Sequence, residues 1–174
     1  MLLRALIVIT LLASAGPAVA GDARCIWQKL PESAREAYLL AGVKGERPDL
    51  STFFSDAQVN TAVDGCNVSD AALDPAGVAF SGYSSQLIAE RRLEITAGVY
   101  PDRLDAAWAA LDPVLIAQLG KAVAAGTDDG SGLKVWESLV AALTPQATDQ
   151  RALRQGLVPY MSARAMRQAA EKLY

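Results

Sequence analysis

Leu104-Asp105-Ala106-Ala107-Trp108-Ala109-Ala110-Leu111-Asp112-Pro113-Val114-Leu115-Ile116-Ala117-Gln118-Leu119 decides the fold class. Leu104, Ala107, Trp108 and Leu111 recur at helical spacing and form one apolar stripe. Leu115, Ile116, Leu119 and Val123 form the next. Between them Asp112-Pro113 sets a capping side chain before a proline suited to a first helical turn. Two amphipathic helices separated by a tight break are the simplest reading.

The same grammar extends along the chain. Asp74-Pro75 and Thr144-Pro145 repeat the cap-and-proline arrangement, each after Ala-Ala-Leu, which reads as recurring helix-end punctuation rather than a true repeat. Leu30, Ala34, Ala37, Tyr38 and Ala41 share one stripe, with Pro31 at its start. Ser55 and Gln58 have the spacing of a capping box, Phe54 and Val59 that of a hydrophobic staple, and Gly65 supplies a stop. Leu133, Trp136, Leu139, Val140 and Leu143 predict a further helix, with Ser131 as its cap. Pro159 should kink or interrupt a last helix running toward the C-terminus. Alanine carries much of a 52% hydrophobic composition that holds only 6% aromatics. Alanine is the strongest helix former. These patterns predict an all-α fold: one irregular bundle of six or seven short helices.

Residues 1–20 read as a secretory signal peptide. Arg4 gives a positive start, Ala5–Ala15 is mostly apolar, Gly16-Pro17 breaks it, and Ala18-Val19-Ala20 presents small residues for cleavage after Ala20. The apolar run is little more than half the ~20 residues needed to span a bilayer, so no stable membrane anchor is expected after cleavage. The charged lead-in before Cys25 excludes a lipid-modified cysteine. Residues 21–174 then form a single helical domain, periplasmic or secreted. In such a compartment Cys25 and Cys66 are expected to pair as a disulfide. The loop they enclose is about 40 residues, which in the chain-entropy picture stabilises by roughly 4 kcal/mol.

Absences narrow the chemistry. The chain has no histidine, so triads, Cys-His dyads and His-ligated zinc cannot be assembled. Two cysteines do not hold a zinc or iron–sulfur cluster unaided, and no phosphate-cradling glycine loop occurs; no metal and no cofactor is expected. Residues 21–144 carry 17 acidic against 10 basic side chains, an acidic body unsuited to nucleic acid. The C-terminal stretch is basic, with Arg151, Arg154, Arg164, Arg167 and Lys172. It is expected either to dock on the acidic body or to meet an anionic surface.

Two clusters merit attention as sites. Asp128-Asp129-Gly130-Ser131-Gly132 lacks the alternating ligands of a calcium loop and reads as a flexible connection. On a helix through Phe80, Tyr83, Leu87, Ile88 and Ile95, Arg91 projects into the apolar stripe with Glu94 one turn on. Tyr83, Arg91 and Glu94 are therefore the candidate floor of a pocket for an anionic ligand. The function expected is a binding or interaction module without catalysis, its partner a protein or a small anionic ligand. The alternative is a carboxylate-dependent hydrolase acting on cell-wall glycans, drawing on Glu90, Glu94, Asp128 and Asp129, which needs two carboxyl groups about 5–9 Å apart.

Overall fold

The computed structural model describes residues 23–173; the leader expected at residues 1–20 lies outside the described residues. Among those described, the structure is all-helical: α1 (Ala23–Lys29), α2 (Glu32–Val43), α3 (Leu50–Phe53), α4 (Asp56–Asp64), α5 (Leu73–Ala97), α6 (Pro101–Ala109), α7 (Pro113–Ala125), α8 (Ser131–Leu143) and α9 (Gln150–Ala170). Two short 3-10 helices, Asp70–Ala72 and Thr144–Gln146, precede α5 and follow α8. Nine helices replace the six or seven expected because α1 and α3 are too short to show a periodic stripe.

Several termini form as their residues dictate. Ser55 accepts from the Gln58 backbone N–H while the Gln58 side chain accepts from the Ser55 N–H, completing the capping box of α4. Asp112 accepts from the Val114 N–H at 2.8 Å and caps α7. Other termini differ from expectation. Asp74 lies inside α5, which starts at Leu73 directly after a 3-10 turn. Thr144 ends α8, and Asp149 caps α9 instead through bonds to the Arg151 and Ala152 N–H groups. Gly130, in the left-handed region, caps α8 in place of Ser131. α9 continues through Pro159 without interruption. Leu133 is exposed, and Val135 takes the buried position on α8.

α5 and α9 form the most extensively packed pair, and both run through two core clusters. One gathers Leu93, Leu104, Trp108, Leu139, Leu153 and Tyr160 from α5, α6, α8 and α9. The other gathers Trp27, Tyr38, Phe54, Phe80 and Tyr83 from the first helices and the start of α5. There Trp27 meets Tyr38 and Phe54 edge-on at ring separations of 5.8 and 6.0 Å, a favoured aromatic geometry. Cys25 and Cys66 are joined, with Cα atoms 5.9 Å apart, tying α1 to the end of α4.

Candidate functional site

The expected pocket does not assemble. Tyr83 is buried against Trp27 and under the Arg167 guanidinium, which lies 5.4 Å from its ring centre. Burial pushes the Tyr83 hydroxyl up, and the neighbouring Arg24 and Arg167 charges oppose that shift. Arg91, by contrast, stands at the surface with its side chain 56% exposed, bound to Glu94 Oε2 at 2.6 Å. The reason lies in the phase of α5. Its buried face runs through Ala79, Gly82, Gln86, Ala89, Glu90 and Leu93. Phe80 and Tyr83 of the apolar stripe are buried on it as well, but further along the helix the face turns through Ala89, Glu90 and Leu93 and leaves Ile95 and Arg91 outside.

What α5 does bury is a polar seam against α9. Gln86 donates to Glu90 Oε1 at 2.6 Å, and both side chains are buried. Burial holds the Glu90 carboxyl above its ordinary range; Gln86 and the Arg164 and Arg167 charges offset this only in part. Arg164, buried on α9, donates to the Tyr160 hydroxyl and to Asp105 on α6. Its guanidinium also lies 5.1 Å from the Trp108 ring centre, within cation–π range. Burial pushes the Tyr160 hydroxyl strongly up. Arg167 pairs with Glu171 at 3.8 Å. Arg164 and Arg167 of the basic C-terminal stretch thus dock on the body, while Arg151, Arg154 and Lys172 stay exposed.

The carboxylates of the hydrolase alternative are dispersed. Glu90 sits in the seam and Glu94 is occupied by Arg91. Asp128 and Asp129 lie on the exposed loop before α8, where they accept from the Gly130 and Ser131 backbone N–H groups. The Ser131 bonds hold the Asp129 carboxyl below its ordinary value. None of the grooves described here is lined by any of the four. Among the described residues no cluster of three or more acidic or sulfur side chains suits a metal ion.

One apolar opening among the described residues was not anticipated from the sequence. Between α7 and α9 runs a groove of about 350 Å³ with apolar walls from Ile116, Ala117, Gly120, Ala124, Ala165 and Ala169. Lys121, Lys172 and the 75%-exposed Leu173 also line it. It adjoins a second hollow of about 330 Å³ that shares Ile116, Gln168 and Lys172. Gln168 is held in place by the Trp108 Nε1–H, which donates to its Oε1 at 3.2 Å. The helices approach closely here: a Cβ on Gly120 would stand 3.2 Å from that of Ala169. The signal was present as small residues and lysines at helical spacing on two segments, Ala117-Gly120-Lys121-Ala124 and Ala165-Gln168-Ala169-Lys172.

Compared with known proteins, the chain matches no family model, no curated relative and no solved structure.

Apolar walls can hold a hydrocarbon body, and the two ammonium groups can meet an anionic end.

Proposed function

We propose that the chain is an exported binding protein whose ligand is a small amphiphilic anion, a hydrocarbon body ending in a carboxylate. The observation that carries this reading is the α7–α9 groove, with its apolar walls and Lys121 and Lys172. Its volume of about 350 Å³ falls in the usual range for small-molecule sites, ~300–1,000 Å³. Export is supported by the Cys25–Cys66 bond, a pairing that persists in oxidising compartments. No helix among the described residues is long and apolar enough to cross a membrane.

Calorimetric titration with dodecanoate, dodecanol and acetate tests the proposal. Dodecanoate is expected to bind, dodecanol about tenfold more weakly, and acetate not measurably. Lys121→Glu with Lys172→Glu should remove the preference for the carboxylate, and Ala124→Trp should block the groove for both long-chain compounds. Absence of binding by dodecanoate, or binding indifferent to all three substitutions, overturns the proposal.

A further inference from the structure

Gln168 lines both the α7–α9 groove and the hollow beside it, and Lys172, four residues on, does the same. Ile116 is the third residue common to both, so these side chains mark the junction. Ala124 and Ala165 belong to the groove alone, and its apolar walls therefore lead away from that junction.

What Gln168 can offer there is fixed from behind. An indole N–H only donates, so the 3.2 Å bond from Trp108 Nε1 must end on the carboxamide oxygen. Trp108 is itself held firmly. It is 2% exposed, with the Arg164 guanidinium 5.1 Å from its ring centre and Tyr160 edge-on at 6.0 Å. With its oxygen committed, Gln168 keeps its NH2 as the group left to serve a ligand, and that NH2 makes no hydrogen bond among the described residues. The Lys172 ammonium is likewise a donor without acceptor capacity. Glu171, the acid of the adjoining hollow, pairs with Arg167 at 3.8 Å.

We propose that Gln168 is a specificity-determining residue of the groove: its amide N–H donates to one carboxylate oxygen of the ligand while Lys172 meets the other. The polar end then lies at the junction and the hydrocarbon runs along Ala165 and Ala124. This inference rests on the reading of the groove as a site for an amphiphilic carboxylate, and adds to it a direction and a neutral donor. A donor pre-set by a buried ring favours ligands that can accept from it, because any other leaves it unpaired.

Calorimetric titration of Gln168 variants with dodecanoate and dodecanol provides the test. Gln168→Glu keeps the size and an oxygen for Trp108 but turns the donor end into a charged acceptor. It should weaken dodecanoate at least about tenfold and leave dodecanol, whose O–H can donate, no weaker than before. Gln168→Met, which removes the donor without adding charge, should weaken dodecanoate about tenfold. Trp108→Phe frees the carboxamide to rotate and should lower the affinity for dodecanoate relative to dodecanol, whereas a merely structural role would lower both alike. If Trp108→Phe disturbs folding, the two Gln168 variants carry the test. A wild-type chain that binds dodecanoate while both Gln168 variants bind it equally well overturns this inference and leaves the groove reading standing. A wild-type chain that does not bind dodecanoate overturns both.

Discussion

A Cβ placed on Gly82 would stand 2.9 Å from the backbone nitrogen of Arg167 and 3.0 Å from the Ala163 carbonyl oxygen. Gly82 is thus where α5 lies directly on the backbone of α9, the pairing around which both core clusters are arranged. Because the obstructing atoms are backbone, they cannot swing aside. Gly82→Ala is expected to destabilise by about 1–3 kcal/mol, the usual penalty of overpacking. Five residues earlier on the same helix, a Cβ on Gly77 meets nothing within 4 Å. Gly77→Ala should therefore stabilise by about 0.5–1 kcal/mol through helix propensity. Urea unfolding of the two variants checks both signs at once.

Glu90 makes stability fall as pH rises. Its carboxyl is held above the ordinary range chiefly by burial, so in the interval between the unfolded and folded pKa values the native state binds more protons than the unfolded state. The favourable contribution of the protonated form is complete below the unfolded value and is lost as pH passes upward through the folded one. Glu90→Gln, which keeps the size and an acceptor for Gln86, should remove this component and raise stability at neutral pH. The difference between wild type and variant, measured by denaturant unfolding from the carboxylate range to neutrality, isolates Glu90 from the other acids. A constant difference across that interval would count against the assignment.

Removing Arg164 should cost far more than removing its ionic partner. Arg164 is buried beside Trp108 and Tyr160, whereas the Asp105 side chain is 60% exposed and can turn to water. Arg164→Ala is expected to destabilise by about 2–4 kcal/mol through a cavity and lost ring contact. Asp105→Asn should change stability by less than about 1 kcal/mol. Thermal unfolding of both single variants gives the comparison.

Loss of the Cys25–Cys66 bond frees a separation of 41 residues in the unfolded chain. Cys25→Ser with Cys66→Ser should lower stability by about 2–5 kcal/mol. Hydrogen exchange should show the loss of protection concentrated in α1 to α4, because the bond ties α1 to α4 while α6 to α8 pack elsewhere.

The helical class was legible wherever apolar residues or capping chemistry carried the element: Ser55 and Gln58 at α4, Asp112 at α7, Leu104 and Trp108 on α6. It failed where burial falls on side chains that hydropathy does not register. The stripe through Phe80, Tyr83, Leu87, Ile88 and Ile95 packs on the core as far as Ile88, but beyond it the inner face of α5 continues through Ala89, Glu90 and Leu93, so extending the stripe to Ile95 misplaced Arg91. Tyr83 is buried as the spacing implied, but it packs against Trp27 and Arg167 rather than joining Arg91 and Glu94. Two-proline logic also misled at Asp74 and Thr144, where 3-10 turns absorb the break and move the cap. The α7–α9 groove was hidden for a different reason. It exists only through the facing of two segments 48 residues apart in sequence, and no single-helix periodicity reports such a pairing.

The disulfide has a consequence for the order in which the molecule becomes complete. α1 has seven residues, too few to persist as an isolated helix, and it reaches the body through Trp27 and Cys25. The core around Leu93, Leu153 and Tyr160 contains no cysteine, whereas the aromatic core around Trp27 contains the Cys25–Cys66 bond. A reduced molecule would hence be finished at one end and provisional at the other, and susceptibility to proteolysis near Lys29 would report which of the two a given preparation contains.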